Sequence, residues 1–366
     1  MRYEDLWTEA RRVWDETIKL RGCVNIIIAG RSGVGKSTLI NAVFQGDLAD
    51  TGQGRPVTQE TREFTKEDVP ISIFDTRGLE MEKYRETIQG LVDLVQQRRK
   101  ELDPMRHIHA AWVCVSEESR RVEEGESHLV ERLAALGLPV ILVITKARAD
   151  RGFKQEAWDL CPDARQVVRV RGLYEKDDEG HEYQPMGLET LVAATVEAVP
   201  EGVRNAFVAA QKVSLQLKKS RAHMVVASSA TAAGAVGASP IPFADALLLI
   251  PLQITMLAGI TAVFGVPATE GFITGLVAGV AGGAGATYAG RTLVSNLLKL
   301  VPGAGTAAGG VIAAGTAATL TAALGEAYVA TIVLLFETHG RMPTSDEIQQ
   351  AFTRRWKHNQ ALSVEH

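Results

Sequence analysis

The stretch Gly30-Arg31-Ser32-Gly33-Val34-Gly35-Lys36-Ser37 constrains this chain more than any other. It reads G-x-x-x-x-G-K-S, follows an apolar run of strand length at 23–29 (CVNIIIA) and opens a helix-like stretch over 36–44. Glycines at these spacings let the backbone curl so that successive N–H groups face phosphate oxygens, and the helix N-terminus adds a favourable dipole. Lys36 is placed to reach β- and γ-phosphates, and the Ser37 hydroxyl to hold Mg²⁺, with Thr38 beside it. A bound nucleoside triphosphate is the expectation.

The rest of the first half suits such a loop. Apolar runs recur at 71–74, 109–115, 140–144 and 167–170, with helical patterns over 88–102, 124–136 and 188–199 between most of them. Strands alternating with helices predict an α/β domain over 21–203, a mainly parallel sheet with helices on both faces. Residues 2–20 carry Leu6, Trp7, Val13, Trp14, Ile18 and Leu20 close to helical period, so 1–20 reads as an amphipathic helix packed on a neighbour, with contact of its two Trp with a membrane surface as the alternative. Pro200-Glu201-Gly202 closes the block, which places a boundary near Val203 and a connecting helix over 204–219.

Asp75-Thr76-Arg77-Gly78 follows the strand at 71–74. An acid there can serve magnesium and the Gly78 N–H can meet a γ-phosphate. Between the two motifs, 52–58 is a glycine-bearing loop ending in Thr58, the favoured magnesium-sensing threonine, with Thr61 its rival. GRSGVGKSTLINAVF and DTRG resemble the first and third motifs of the translation-factor-related P-loop GTPases, the Era-like group in particular, over roughly 20–203. The resemblance implies GTP as substrate, GDP as product, Mg²⁺ as cofactor and two loops, at 52–64 and 77–90, that clamp the γ-phosphate and relax after hydrolysis.

Two departures matter. The guanine-reading motif of that family is N/T-K-x-D; here Thr145-Lys146-Ala147-Arg148 puts Arg where the Asp belongs, with Asp150 two residues on. Asp150 could substitute through a shifted loop, or guanine selectivity is weakened and ATP stays open. The family's later S-A-K-like motif is not recognisable; 169–173 is its neighbourhood. Leu79 follows Gly78 where Ras-like switches carry a water-orienting Gln, so intrinsic hydrolysis should be slow. Help could come from the other switch loop, a partner or a homodimer through the nucleotide face. Arg31 and Arg77 could stabilise charge, although surface roles suit them better; His107 and His109 read as strand-entry residues.

Composition changes abruptly after Arg221. From there to Phe336 the only full charges are Asp245, Glu270, Arg291, Lys299 and Glu326, in a background rich in Ala, Gly, Thr and aliphatics. Uncharged runs at 247–266, 271–290 and 303–325 are long enough to cross a hydrocarbon core, and Gly271, Gly275, Gly279 and Gly283 form a stripe at four-residue spacing. Lys218, Lys219 and Arg221 before this region, and Arg354, Arg355 and Lys357 after it, fit hairpins entering from the cytoplasmic side. A soluble bundle with small-residue seams is the competing reading, favoured by Asp245 and Glu326. PIPFADALLLIPLQITML resembles the helical domain of unknown function in YcjF-like proteins, which implies association with bacterial membranes. An all-α domain over 204–340 and a final helix and tail over 341–366, with Ile348, Phe352 and Trp356 on one face, complete the expectation.

A net charge of −4 argues against a general nucleic-acid binder, so no DNA partner is expected. Cys23, Cys114 and Cys161 are too scattered for a disulfide framework or zinc, and the N-terminus lacks a signal-peptide core, which fits the cytoplasm and the inner face of a plasma membrane. The function expected is a GTP-binding switch with slow hydrolysis whose helical domain meets a membrane lipid surface or partner. A soluble ribosome-assembly GTPase and a nucleotide-binding module with negligible turnover are the alternatives.

Overall fold

The computed structural model describes residues 8, 11–12, 14–17, 22–45, 55–56, 61–66, 69–76, 84–237, 244–267, 269, 271–272, 274–276, 317–352 and 354. They form two compact units, Gly22–Ser214 and a second made from the N-terminal segment with everything from Leu215 onward.

In the first unit the elements run β1 (Val24–Gly30), α1 (Lys36–Val43), β2 (Arg55–Pro56), β3 (Thr61–Lys66), β4 (Val69–Thr76), α2 (Tyr84–Arg99), β5 (Ala110–Ser116) and α3 (Glu124–Ala135). They continue as β6 (Val140–Thr145), α4 (Phe153–Leu160), β7 (Gln166–Arg169), β8 (Glu175–Lys176), β9 (Glu182–Tyr183), α5 (Leu188–Ala198) and α6 (Glu201–Ala210). The main sheet has the order β2-β3-β4-β1-β5-β6-β7. β1 pairs parallel with both β4 and β5, and β5–β6–β7 continue parallel. Strands buried on both faces read as unbroken apolar runs, and β1, β5 and β6 are buried along their whole length.

Helices cover both faces. On one, Ile27, Val113 and Leu142 pack in a single core with Ile88 and Leu91 of α2, Leu129 and Leu133 of α3 and Phe153 and Ala157 of α4. On the other, Trp112 stacks on Phe44 just after α1 and donates through Nε1 to Thr195 of α5 at 3.1 Å, while Phe207 of α6 meets Phe44 edge-on. The antiparallel edge β2–β3, paired to the expected strand β4, lay beyond the periodicity, because Thr61–Lys66 is polar and half-buried to exposed where described. His109 enters β5 as expected: buried, its Nδ1 accepts from Asn25 N at 2.9 Å and its Nε2 meets Pro104 O at 3.0 Å.

The connection to the second unit differs from the single helix expected over 204–219. α6 ends at Ala210, and Gln211 folds its side chain onto Ser214 N and O at 2.7 and 3.0 Å. A new helix, α7 (Leu215–Gly237), follows, and the first compact unit includes α6 and runs to Ser214. The reason is burial: Val203, Ala206 and Phe207 belong to the core beside the sheet.

The second unit packs α7 with α8 (Ala244–Phe264) and α9 (Ala317–His339). Small residues make the seams. A Cβ on Gly325 would lie 2.7 Å from Val226 and 2.8 Å from Met256 Sδ, and one on Gly259 3.0 Å from Val225. Polar groups pair across them: Thr261 with Tyr328 Oη at 2.7 Å, His223 with Glu326 at 2.9 Å. Lys218 is buried and donates to Phe264 O at 3.1 Å, so it closes the C-terminus of α8 and is not the basic flank it resembled. Trp14 packs edge-on against Phe272, a described contact of the N-terminal segment. A last helix over 345–352 starts on a reciprocal Thr344–Glu347 cap and sets Phe352 edge-on to Tyr328. Most of the 271–290 run, residues 303–316, and Trp356 lie outside the described residues.

Candidate nucleotide-binding site

The site sits where β1 hands over to α1, at the C-terminal edge of the sheet, with β4 and β5 on either side. Gly30, Gly33 and Gly35 have φ of 150°, 76° and 96°. At Gly30 the demand is also steric, since a Cβ would stand 2.3 Å from the Cys114 carbonyl oxygen of β5; at Gly33 nothing lies within 4 Å and only the backbone conformation matters. No side chain caps α1, so its first N–H groups face outward for an anion.

Lys36 is buried, and its Nζ donates to Gly30 O at 2.9 Å and Arg31 O at 3.1 Å, bracing the ammonium across the loop. Ser32, Gly33, Ser37 and Thr38 are exposed around it; Val34 is buried. Arg31 turns instead to Glu123 at 3.1 Å, a carboxylate that also takes Arg121 Nε at 2.7 Å. Asp75, near the end of β4, pairs in register with Ile28 of β1, two residues before Gly30 opens the phosphate loop. Thr61 opens β3 opposite Thr76. Thr58, Arg77, Gly78 and Leu79 lie outside the described residues.

Thr145 joins the loop after β6 to the phosphate loop: its Oγ1 donates to Val34 O at 2.5 Å and Val115 O at 3.0 Å. Lys146, at a left-handed φ of 52°, pairs with Glu118 at 2.9 Å. Asp150 caps the approach to α4, accepting from Lys154 N at 2.8 Å, with Arg169 Nε 3.8 Å away. Arg148 reaches to the β8–β9 hairpin, where it binds Glu175 at 3.0 Å and lies 5.2 Å over the Tyr183 ring.

Residues that the sequence reading passed over hold this arrangement. Glu117 is buried; its Oε1 accepts from Arg148 N at 2.6 Å and Ala149 N at 2.8 Å, and its Oε2 from Arg169 Nε at 2.7 Å. Burial alone would raise its pKa, but these hydrogen bonds outweigh that and hold it below its ordinary value. The signal was an acidic pair directly after a buried strand, at the edge where ligand loops gather. Glu126, also buried, accepts from Glu123 N at 2.9 Å in the capping box of α3, and burial pushes it up to about 7. Burial likewise pushes the Cys114 thiol to about 12, making it an inert core group.

A parallel sheet, a glycine-lined phosphate loop and a lysine-serine helix start together place this unit among the P-loop nucleoside-triphosphate-binding domains. Residues 25–146 match the family model described as 50S ribosome-binding GTPase, and residues 204–357 match a domain of unknown function, DUF697. The chain therefore carries an Era-like P-loop GTPase domain followed by a DUF697 domain, the family of YcjF-like proteins.

GTPase Era of Thermoanaerobacter pseudethanolicus is 28% identical over 123 residues, which is 33% of this chain and 38% of that protein. GTPase Era of Alkaliphilus metalliredigens is 23% identical over 179 residues, 48% of this chain and 56% of that one. The chain thus spans between 38% and 56% of the length of these curated relatives. A crystal structure of Aquifex aeolicus Era bound to GDP·AlF4⁻ is similar with a TM-score of 0.34 and 18% identity, covering 60% of this chain and 70% of that one.

Proposed function

We propose that this protein is a GTP-driven switch with slow intrinsic hydrolysis, whose helical domain meets a membrane or a protein partner in one nucleotide state. The observation that carries the reading is the loop at 30–37, with uncapped N–H groups and a buried Lys36 at its centre. Gly30 to Thr38 would cradle the phosphates. Thr145 and Lys146 would flank the base, with Asp150 close by. Ser37 and Asp75 offer hard oxygen donors at one edge, so together with Thr58 they suit Mg²⁺, which when bound would neutralise phosphate charge. Gly78 would sense the γ-phosphate through its N–H, and Lys36 would stabilise charge on the transferred group. With Leu79 after Gly78, no side chain there can orient water, which supports slow turnover without a partner or a second copy across the nucleotide face.

For the helical domain, α9 is long and apolar enough to cross a membrane by length and composition, while much of it is buried here. That combination supports conditional association at the inner face of a plasma membrane more than stable spanning. Flotation with anionic lipid vesicles in the presence of GTP analogue, GDP or no nucleotide tests this: binding in one state is expected, and no binding in any state removes the membrane half.

The description of the matching family as ribosome-binding supports a second reading, a soluble ribosome-assembly GTPase. Nucleotide-dependent co-sedimentation with ribosomal subunits would establish it. Single-turnover phosphate release, with and without vesicles, separates a regulated enzyme from a nucleotide-binding module with negligible turnover.

A further inference from the structure

The far edge of the same sheet carries a cleft that the nucleotide reading leaves unused. β5, β6 and β7 run parallel to β1, so their N-terminal ends lie together at the edge opposite the phosphate loop. There a cleft of about 650 Å³ opens to solvent, wholly inside the first unit. That volume falls within the range of roughly 300–1,000 Å³ usual for small-molecule sites. Val95 of α2, Ile108 before β5, Leu138 and Val140 at the entry to β6, and Val203 of α6 give it apolar walls.

Hydrogen bonds fix those walls in place. Asn25 Nδ2 donates to Met105 O at 2.9 Å and His107 O at 2.7 Å, and the buried His109 ties its Nε2 to Pro104 O at 3.0 Å. Arg99 fastens the end of α2 to Leu136 O, just beyond α3. With the turn at 104–109 and both helix ends pinned, the cleft does not close on itself, and its apolar walls stay wet until a ligand covers them. Leu102, between Arg99 and Pro104 of the wall, is fully exposed and adds apolar surface beside it.

The polar lining sets the sign of that ligand. Two guanidiniums, of Arg99 and Arg165, stand against one carboxylate, that of Asp163. Arg165 is exposed, and its side chain takes no hydrogen-bond or ion-pair partner among the described residues. Arg99 uses one donor on Leu136 O and keeps the others. Unmatched guanidinium donors beside an apolar wall suit an apolar body with a charged acceptor at one end.

We propose that this cleft binds an amphipathic anion, a medium-length alkyl chain ending in a carboxylate or a phosphate. The chain lies against Val95, Ile108 and Val203, and the anion meets Arg165 with Arg99 beside it. A neutral alcohol of the same length forgoes the charge-assisted bonds, and a cationic one meets repulsion. The site is separate from residues 30–37 and rests on no part of the nucleotide reading.

The test uses the full chain with isotope-labelled methionine methyls, because Met105 lines the cleft and reports from it directly by NMR. Its resonance is the one missing from Met105→Leu. Octanoate and octyl phosphate, kept far below their micellar concentrations, should shift it saturably, and octanol should bind about tenfold or more weakly. The tighter of the two anions identifies the headgroup. Hexanoate should bind about tenfold more weakly than octanoate, since each buried methylene is worth about fourfold. Arg165→Gln should weaken octanoate by about tenfold and leave octanol unchanged. Ala134→Phe, which fills the cleft, should abolish the shift; should it fail to fold, the Arg165→Gln titrations decide. A Met105 resonance that neither anion moves overturns the proposal, as does octanol binding as tightly as octanoate or an Arg165→Gln protein that binds like the parent. Equal shifts across all the methionines, which place the chain on apolar surface at large, overturn it as well.

Discussion

Glu126 gives the sharpest quantitative handle on the scaffold behind the phosphate loop. It is 2% exposed, sits in the first turn of α3, and stands behind Glu123, the ion-pair partner of Arg31. Burial raises its carboxyl from 4.5 to about 7, against the opposing pull of the Glu123 N–H and Arg31. A raised acid pKa means that folding takes up a proton. Stability from this group is therefore complete below the unfolded value and lost as pH climbs through about 7. At about 1.4 kcal/mol per pH unit, the full penalty at pH 8 is about 3 kcal/mol, an upper bound. Glu126→Gln removes that penalty while keeping an oxygen to accept from Glu123 N. We expect the variant to gain about 1–3 kcal/mol at pH 8 and close to nothing at pH 4. In urea denaturation followed by circular dichroism, the midpoint at pH 8 should rise by roughly 0.5–1 M. An equal shift at both pH values, or a loss at pH 8, would refute the reasoning.

Three further outcomes follow from the geometry. Gly30→Ala drives a Cβ against the Cys114 carbonyl at a φ that side chains avoid; it should cost about 3 kcal/mol or more and abolish nucleotide binding, as read by denaturation and by probe fluorescence. Glu117→Ala strips an acceptor from Arg169 and two main-chain N–H groups, and should destabilise by about 2–4 kcal/mol, with Glu117→Gln milder; equal stability of all three proteins would contradict the clamp. Glu326→Gln removes the carboxylate within the apolar α9, whose membrane insertion costs about 2.5–3.5 kcal/mol, so vesicle binding should rise; unchanged flotation would count against α9 as the inserting element.

Some of this was open to inspection of the residues and some was not. Val24–Gly30, Ala110–Ser116 and Val140–Thr145 announced themselves because strands buried on both faces need no alternation. Thr61–Lys66 did not, since an antiparallel edge strand with polar side chains has no apolar signature. The Arg at 148 was visible as a departure from its neighbours' pattern, but its partners Glu175 and Tyr183 come from a hairpin 27 and more residues away, a pairing no local pattern encodes. Lys218 misled for a related reason: a lysine beside two other basic residues looks solvated, and only the α8 carbonyls show why it is buried.

Titration calorimetry of the full chain with GDP and a non-hydrolysable GTP analogue addresses the core claim most directly. Saturable binding that requires Mg²⁺ for the analogue, and that weakens by about a hundredfold or more in Lys36→Ala, is the predicted result. Heat curves that are the same for parent and variant would show that the amides and ammonium at 30–37 hold no phosphate.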